Sequence, residues 1–284
     1  MEKKSKLKKN LPNIILALFF IVGLGIFLYP SISDFVNAWV QNKAISKYDN
    51  IVSELSFEEY EKMIKEAQEY NKTLIGKTLA LNNENAKKTN YKELLSVDKT
   101  GIMGYLKIPK IEVKLPIYHT TEPAILQIGI GHLEGSSLPV GGETTHVVVS
   151  GHTGLPSSKL LTDLVELKVG DTFNIDVLNQ VYTYEVDQIL VVEPDETDAL
   201  EIIDKRQYAT IVTCTPYGVN SHRLLVRGFL RDNTINADIS SEAIVVDSSI
   251  IVPIIAIPLI IILFIVMINI RRMKRGKEVD EENE

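Results

Sequence analysis

Two uncharged stretches constrain this chain more than any other feature. Residues 11–30 and 250–270 carry no charged side chain over 20 and 21 positions, and about 20 apolar residues are what a helix needs to cross a bilayer. Lys3, Lys4, Lys6, Lys8 and Lys9 precede the first stretch; Arg271, Arg272, Lys274 and Arg275 follow the second. Basic flanks stay in the cytoplasm, so both termini are read as cytoplasmic and residues 31–249 as external. Two spans satisfy that parity. Pro253 and Pro258 are acceptable because membrane helices tolerate proline. For residues 11–30 the alternative is a cleaved signal peptide, since Ser31-Ile32-Ser33 offers small residues at a cut site. The apolar run is long for a signal core, and an uncleaved anchor is the reading adopted.

Charge narrows the partners. The chain holds 30 basic and 37 acidic residues. Residues 1–30 hold five basic and one acidic, and residues 250–284 five of each, which leaves 20 basic and 31 acidic between them. A soluble portion of net charge about −11 is a poor match to nucleic acid. The lipid bilayer is the partner implied by the ends.

The organisation follows in order. Residues 1–10 form a basic cytoplasmic tail, 11–30 the first span, and 31–70 an external helical segment. Within the last, Phe35, Val36, Trp39 and Val40 fall at helical spacing, and Ser56 with Glu59 makes a capping box that starts a second helix. Residues 71–100 are polar and read as a linker or a possible lid. From residue 101 to 235 short alternating runs are broken by Gly, Pro and Asn: 103–108, 112–118, 146–150, 171–177, 181–192, 209–214 and 223–230. Such spacing predicts a mainly β domain, a closed barrel or a sandwich. Leu178-Asn179-Gln180 reads as a hairpin turn, and 157–167 as a helix-like insert. Residues 236–249 are a linker, 250–270 the second span, and 271–284 a cytoplasmic tail.

Cys214 is the single cysteine. External cysteines are usually paired, and this one has no partner in the chain. It ends the apolar run Ala209-Thr210-Ile211-Val212 and precedes the turn Thr215-Pro216-Tyr217-Gly218, which places its sulfur near a rim. A buried structural thiol is the plain alternative. A nucleophilic cysteine needs positive charge and a proton carrier nearby. Arg223 follows nine residues later, and an antiparallel return lays it beside Cys214. His152, in Ser150-Gly151-His152-Thr153-Gly154, sits where a strand opens into a tight loop. His132, in a Gly-rich loop, competes for the same role. Strand alternation sends His222 away from Arg223, and His119 and His146 read as surface or structural residues. No metal-ligand spacing is present, and no cofactor is expected.

These residues resemble the sortases. Thr210-Ile211-Val212-Thr213-Cys214 is similar to the family's Thr-Leu-x-Thr-Cys motif, with Ile at the Leu position. The run from Cys214 to Gly228, and His132-Leu133-Glu134-Gly135-Ser136-Ser137-Leu138-Pro139 with Gly141-Gly142, resemble class C, the pilus-building sortases. Two departures stand out. The Asp-Pro-aromatic lid motif of many class C enzymes is missing between residues 60 and 100, and Thr153 follows the histidine where class C often has Arg.

The resemblance implies a closed sortase-type barrel of about eight strands with N-terminal helices and short helical inserts, flanked by two transmembrane helices. It implies Cys214, His152 and Arg223 as catalytic residues. The substrates implied are surface or pilin proteins with a C-terminal Leu-Pro-x-Thr-Gly-like signal, cut between Thr and Gly through a thioacyl intermediate. The acceptor implied is an amine, a pilin lysine in class C; a peptidoglycan amine is the alternative. The distant alternative is a membrane-tethered receptor or adhesin without catalysis. Papain-like enzymes place Cys before His, the reverse of the order here, and the Gln-Ala-Cys signature of caspases is absent.

Overall fold

The computed structural model describes residues 2–77, 79, 90–155, 157–231 and 260. The chain divides into two units, residues 1–35 with 238–284, and residues 36–237.

The first helix, α1, runs Glu2–Ser53 without interruption. Helical geometry continues through Pro30, so the apolar stretch 11–30 and the start of the expected helical segment 31–70 form one helix. An interior proline removes one backbone hydrogen bond, and membrane helices accommodate that loss. Among the described residues one helix, Leu18–Ser53, is long and apolar enough to cross a membrane. The second expected span, 250–270, and the flanking segments 236–249 and 271–284 lie outside the described residues apart from residue 260.

Helix α2 spans Phe57–Leu74, and its start is the expected capping box. The Glu59 N–H donates to Ser56 Oγ at 3.2 Å, and the Ser56 N–H donates to Glu59 Oε2 at 3.0 Å. The end of the segment read as a polar linker is packed instead. A 3₁₀ turn at Tyr91–Glu93 carries Tyr91 inward, and Tyr91 and Leu95 are both 1% exposed.

The second unit is built on a closed barrel. Its strands are β1 (Ile102–Ile108), β2 (Val113–His119), β3 (Ile130–His132), β4 (Thr145–Ser150), β7 (Thr172–Val177), β8 (Gln180–Val192), β9 (Gln207–Thr215) and β10 (His222–Leu230), joined in the order β1-β2-β3-β4-β9-β10-β8-β7 and back to β1. The β2–β3 and β4–β9 pairs are parallel and the rest antiparallel. A short helix, α3 (Pro123–Leu126), lies between β2 and β3. A separate hairpin joins β5 (Thr153–Leu155) to β6 (Ser158–Leu160), followed by a 3₁₀ helix at Thr162–Glu166. The helix-like insert expected at 157–167 is therefore strand plus 3₁₀ turn. Leu160, Leu161 and Leu164 have helical spacing, but they bury as a strand end and a tight turn.

Alternation sorts the side chains. Leu106, Ile117, Val147, Val149, Phe173, Ile175, Ile211 and Val226 point inward and are nearly or fully buried. Each large apolar side chain so buried contributes about 1.5–3 kcal/mol. The β7–β8 hairpin closes through Leu178 and Asn179, both at positive φ (47° and 60°), the geometry of a two-residue type I′ turn. Leu178 holds that conformation while fully buried, and its N–H donates to the Tyr48 hydroxyl of α1 at 2.9 Å. Tyr48 in turn donates to the Met103 carbonyl at 2.9 Å, so one buried phenol ties α1 to β1 and to the β7–β8 turn.

Candidate active site

Parallel pairing of β4 with β9 runs up to Ser150 opposite Val212. Two residues further on stand His152, in the loop that leaves β4, and Cys214, still in β9. Antiparallel pairing of β9 with β10 sets Arg223 directly opposite Cys214. Directly opposed residues project from the same face, with Cβ atoms about 4.5–5.5 Å apart. The three candidates thus arrive from three neighbouring strands at one end of the barrel. All three are half-buried, and the Cys214 thiol is free.

Two threonines fix this end. Thr213, 1% exposed, donates its hydroxyl to the Gly151 carbonyl at 2.9 Å. Its Oγ1 lies 2.7 Å from Thr153 Oγ1, and Thr153 Oγ1 contacts the Cys214 carbonyl. The two hydroxyl protons go to the two carbonyls, Thr213 to Gly151 and Thr153 to Cys214. The Gly151 N–H donates to the Val212 carbonyl at 3.1 Å. The residues on both sides of His152 are therefore keyed to the residues around Cys214. A Cβ on Gly151 would lie 2.7 Å from Ile130 Cγ2 and 2.9 Å from Leu161 Cδ1, so any side chain here forces Ile130 or Leu161 to shift. Arg223 Nη1 donates to the carbonyls of Asn220 at 3.2 Å and His222 at 3.0 Å, which orients the guanidinium along the β9–β10 turn.

The other histidines separate clearly from His152. His132 is fully buried, and lies in β3 rather than in a loop. Its Nε2–H donates to the Ser137 carbonyl at 2.9 Å, which leaves Nδ1 to accept from the Tyr91 hydroxyl at 2.7 Å. Burial lowers its pKa to about 4. It is a neutral structural imidazole, unsuited to carry protons to a rim. His146, 1% exposed, is a core residue and not a surface one. Its Nδ1–H donates to the Glu201 carbonyl at 2.8 Å, and its Nε2 accepts from Thr210 Oγ1 at 2.7 Å, with the pKa again lowered by burial to about 4. His119, 5% exposed, has its two ring nitrogens 2.9 Å and 2.6 Å from the carbonyls of Gly101 and Leu94. His222 pairs across the ladder with Thr215 and turns toward Glu193 at 3.3 Å, away from Cys214. The first threonine of the motif, Thr210, is thus a partner of His146, while Thr213 serves the site itself.

A second apolar cluster lies on the outer side of the same strands. Val148, Val192 and Leu225 form it, with Val212 and Leu190 alongside. Val212 and Leu225 are each two residues from Cys214 and Arg223 on their strands, on the same face. Leu79 packs into this cluster, as does Leu200. An apolar surface therefore approaches the Cys214–Arg223 pair, with a residue from the 71–100 segment lying on it.

The sortase-domain family model matches residues 106–231. Sortase C1 of Streptococcus agalactiae is 50% identical to this chain with a TM-score of 0.65, and the match covers 67% of this chain and 99% of that one. The chain belongs to the sortase family of cysteine transpeptidases. Sortase C of Streptococcus pneumoniae is similar at 42% identity and TM-score 0.61 (67% and 97% covered), and Clostridium perfringens sortase C, solved with the C-terminal cell wall sorting motif, at 44% and 0.58 (67% and 98% covered). These sortase neighbours are class C. Sortase D of Bacillus subtilis (strain 168) is 30% identical over 114 residues, covering 40% of this chain and 54% of that protein. The chain spans about half the length of the curated relatives it matches.

Proposed function

We propose that this sortase is a membrane-anchored class C transpeptidase, with Cys214 as nucleophile, His152 as proton carrier and Arg223 as stabiliser of the oxyanion. The observation that carries the reading is the registration of Cys214 against Arg223, with His152 two residues beyond the last β4–β9 pair. The similarity to class C structures adds to it.

The chemistry follows from the residue types. The Cys214 thiolate attacks the Thr carbonyl carbon of a Leu-Pro-x-Thr-Gly-like signal. Negative charge moves onto the carbonyl oxygen, where the Arg223 guanidinium offers fixed charge and donors. His152 as imidazolium gives its proton to the Gly nitrogen as the C–N bond breaks. A thioacyl enzyme and a free Gly amine remain. The incoming amine then attacks the thioester, neutral His152 takes its proton, and the thiolate leaves as the new amide forms. With a pilin lysine as acceptor the product is an isopeptide-linked polymer. The chain is held in the membrane through the helix containing residues 11–30, with the barrel outside. Leu79 lies on the apolar surface that approaches Cys214.

The acceptor is tested by offering full-length protein a Leu-Pro-x-Thr-Gly peptide with two competing amines, a lysine-containing pilin peptide and a peptidoglycan stem-peptide amine. A lysine-linked product supports the class C reading. A product formed only with the peptidoglycan amine replaces it with a wall-anchoring role. Absence of either product, with the signal peptide uncut, contradicts transpeptidation.

A further inference from the structure

Where the end of α1 lies on β1 and β7, the fold gathers acidic groups that the transpeptidation scheme does not use. Tyr105 of β1 stands directly opposite Asp176 of β7. Tyr48 of α1 packs edge-on against Tyr105, with ring centres 6.3 Å apart, and half-buried Asp49 follows it. The Tyr105 hydroxyl is within hydrogen-bond reach of both the Asp49 and the Asp176 carboxyl groups. All four residues belong to the unit 36–237.

The hydrogen bonds there do not close with both carboxyl groups ionised. Asp176 is 6% exposed. Its Oδ1 accepts from Lys107 Nζ at 3.3 Å, a long contact beside the 2.8 Å and 2.7 Å of the Lys47–Asp98 and Lys110–Asp171 pairs. Charge-assisted bonds of full strength run about 2.7–2.9 Å. Among the described residues Asp176 Oδ2 has no hydrogen-bond partner, and a buried charge with one oxygen bare is costly. The phenol cannot mend this, because it has one proton for two carboxylates. A proton kept on Asp176 takes the charge off the bare oxygen and frees the Tyr105 proton for Asp49.

The surroundings favour that state. Burial, helped by the Asp49 charge, pushes the Asp176 carboxyl above its ordinary range, with Lys107 and Tyr105 pulling the other way. Lys107 is a weak counterweight: its side chain is 37% exposed, and its Nζ also lies 5.0 Å from the centre of the Tyr105 ring. Lys114 of β2 sits over the same ring at 5.3 Å. On the other flank β8 sets uncharged Val181 opposite Asp176. The Tyr48 hydroxyl is committed to the Met103 carbonyl and the Leu178 N–H. Burial and then the two carboxyl groups hold Tyr105 far above the phenol range, so it keeps its own proton.

We propose that Asp49, Tyr105 and Asp176 form a proton-held latch, in which two protons serve three acidic groups and loss of the one on Asp176 as pH rises loosens the end of α1 from β1 and β7. The sign follows from linkage. The unfolded chain gives up this proton near pH 4, while the folded one keeps it to higher pH. The stability it supplies is therefore complete below about pH 4 and is lost as pH rises through the folded-state value. That is opposite to the effect of the buried histidines.

Full-length protein in detergent and its Asp176→Asn and Asp49→Asn variants are titrated from pH 4.5 to 8. Infrared spectroscopy follows the protonated-carboxyl C=O stretch. Hydrogen exchange over residues 45–53 is recorded as protection factors, which cancel the intrinsic effect of pH. The latch predicts a carboxyl band at about pH 5.5, where ordinary carboxyl groups have ionised, that is missing from Asp176→Asn. Protection of 45–53 falls as the band titrates, by up to about tenfold per pH unit. It stays level in Asp176→Asn, whose amide stands in for the neutral acid. In Asp49→Asn the band titrates at lower pH, because the neighbouring charge is gone. Three results overturn the proposal: no band at pH 5.5 that depends on Asp176, which makes it an ionised partner of Lys107; protection lost at every pH in Asp176→Asn, which means that the charge itself holds α1; and a band that titrates while protection of 45–53 stays unchanged, which leaves a buried acid without a latch.

Discussion

The Thr213 hydroxyl donates to the Gly151 carbonyl at 2.9 Å, joining the backbone before Cys214 to the backbone before His152. Thr213→Val keeps the volume and removes the donor, leaving a buried carbonyl short of a partner at about 1–3 kcal/mol. Misplacing the two reacting groups costs more in rate than in stability. The expected kcat/KM for signal-peptide cleavage falls on the order of 10–100-fold, and Thr213→Ser restores most of it. Steady-state kinetics beside urea unfolding separate the two effects.

Arg223→Lys keeps the charge and loses the planar fork of donors. Loss of an oxyanion donor costs on the order of 10²–10³ in kcat, so thioacylation slows by that order while peptide binding changes little. Pre-steady-state kinetics of peptide cleavage read both quantities.

Asn71, 4% exposed, clamps a loop to α2: its Nδ2 donates to the Leu138 carbonyl at 3.0 Å, and its Oδ1 accepts from the Leu138 N–H at 2.7 Å. Asn71→Ala leaves the Leu138 N–H buried and unpaired, while the Leu138 carbonyl keeps the Val140 N–H at 2.9 Å, and is expected to cost about 1–3 kcal/mol. Hydrogen exchange checks it, with faster exchange predicted across α2 and at Leu138.

Legibility in the sequence follows the reach of the interactions. Strands β1, β2, β7, β8, β9 and β10 were readable because each alternates and ends at turn residues, and the nine-residue step from Cys214 to Arg223 is a local hairpin. Strand β3 escaped notice because Gly129 and Gly131 made it look like a loop; Gly131 is glycine because a Cβ there would strike the Thr120 carbonyl. The β5–β6 hairpin read as helix because its leucines fall at helical intervals, although Gly154 sits at φ +60°. Thr153, Asn71 and Tyr48 could not be singled out, since their partners lie 60 to 130 residues away.

Burial holds the folded-state pKa of His132 and His146 near 4, below the usual 6.5. Between those values the unfolded chain binds more protons than the folded one. Stability therefore rises with pH through this window and is lost as pH falls from about 6.5 toward 4, by up to about 1.4 kcal/mol per pH unit for each histidine. Urea midpoints from pH 7 to pH 4 measure the slope, and His146→Asn is expected to flatten it by about one proton.

Leu79 belongs to the apolar cluster of Val148, Val192, Leu200 and Leu225, and Leu225 shares its face with Cys214 and Arg223. If it covers the approach, Leu79→Ser speeds modification of Cys214 by a thiol reagent several-fold. An unchanged rate removes Leu79 from any covering role.

The central claim concerns Cys214. Full-length protein and its Cys214→Ala variant are incubated with a Leu-Pro-x-Thr-Gly peptide, and intact masses are recorded before and after addition of an amine. The account predicts an acyl adduct on the native protein that maps to Cys214, disappears on amine addition with release of the amide product, and never forms on the variant. An adduct that survives in the variant, or a Cys214 inert both to the peptide and to small thiol reagents, would contradict it and leave the cysteine a structural residue.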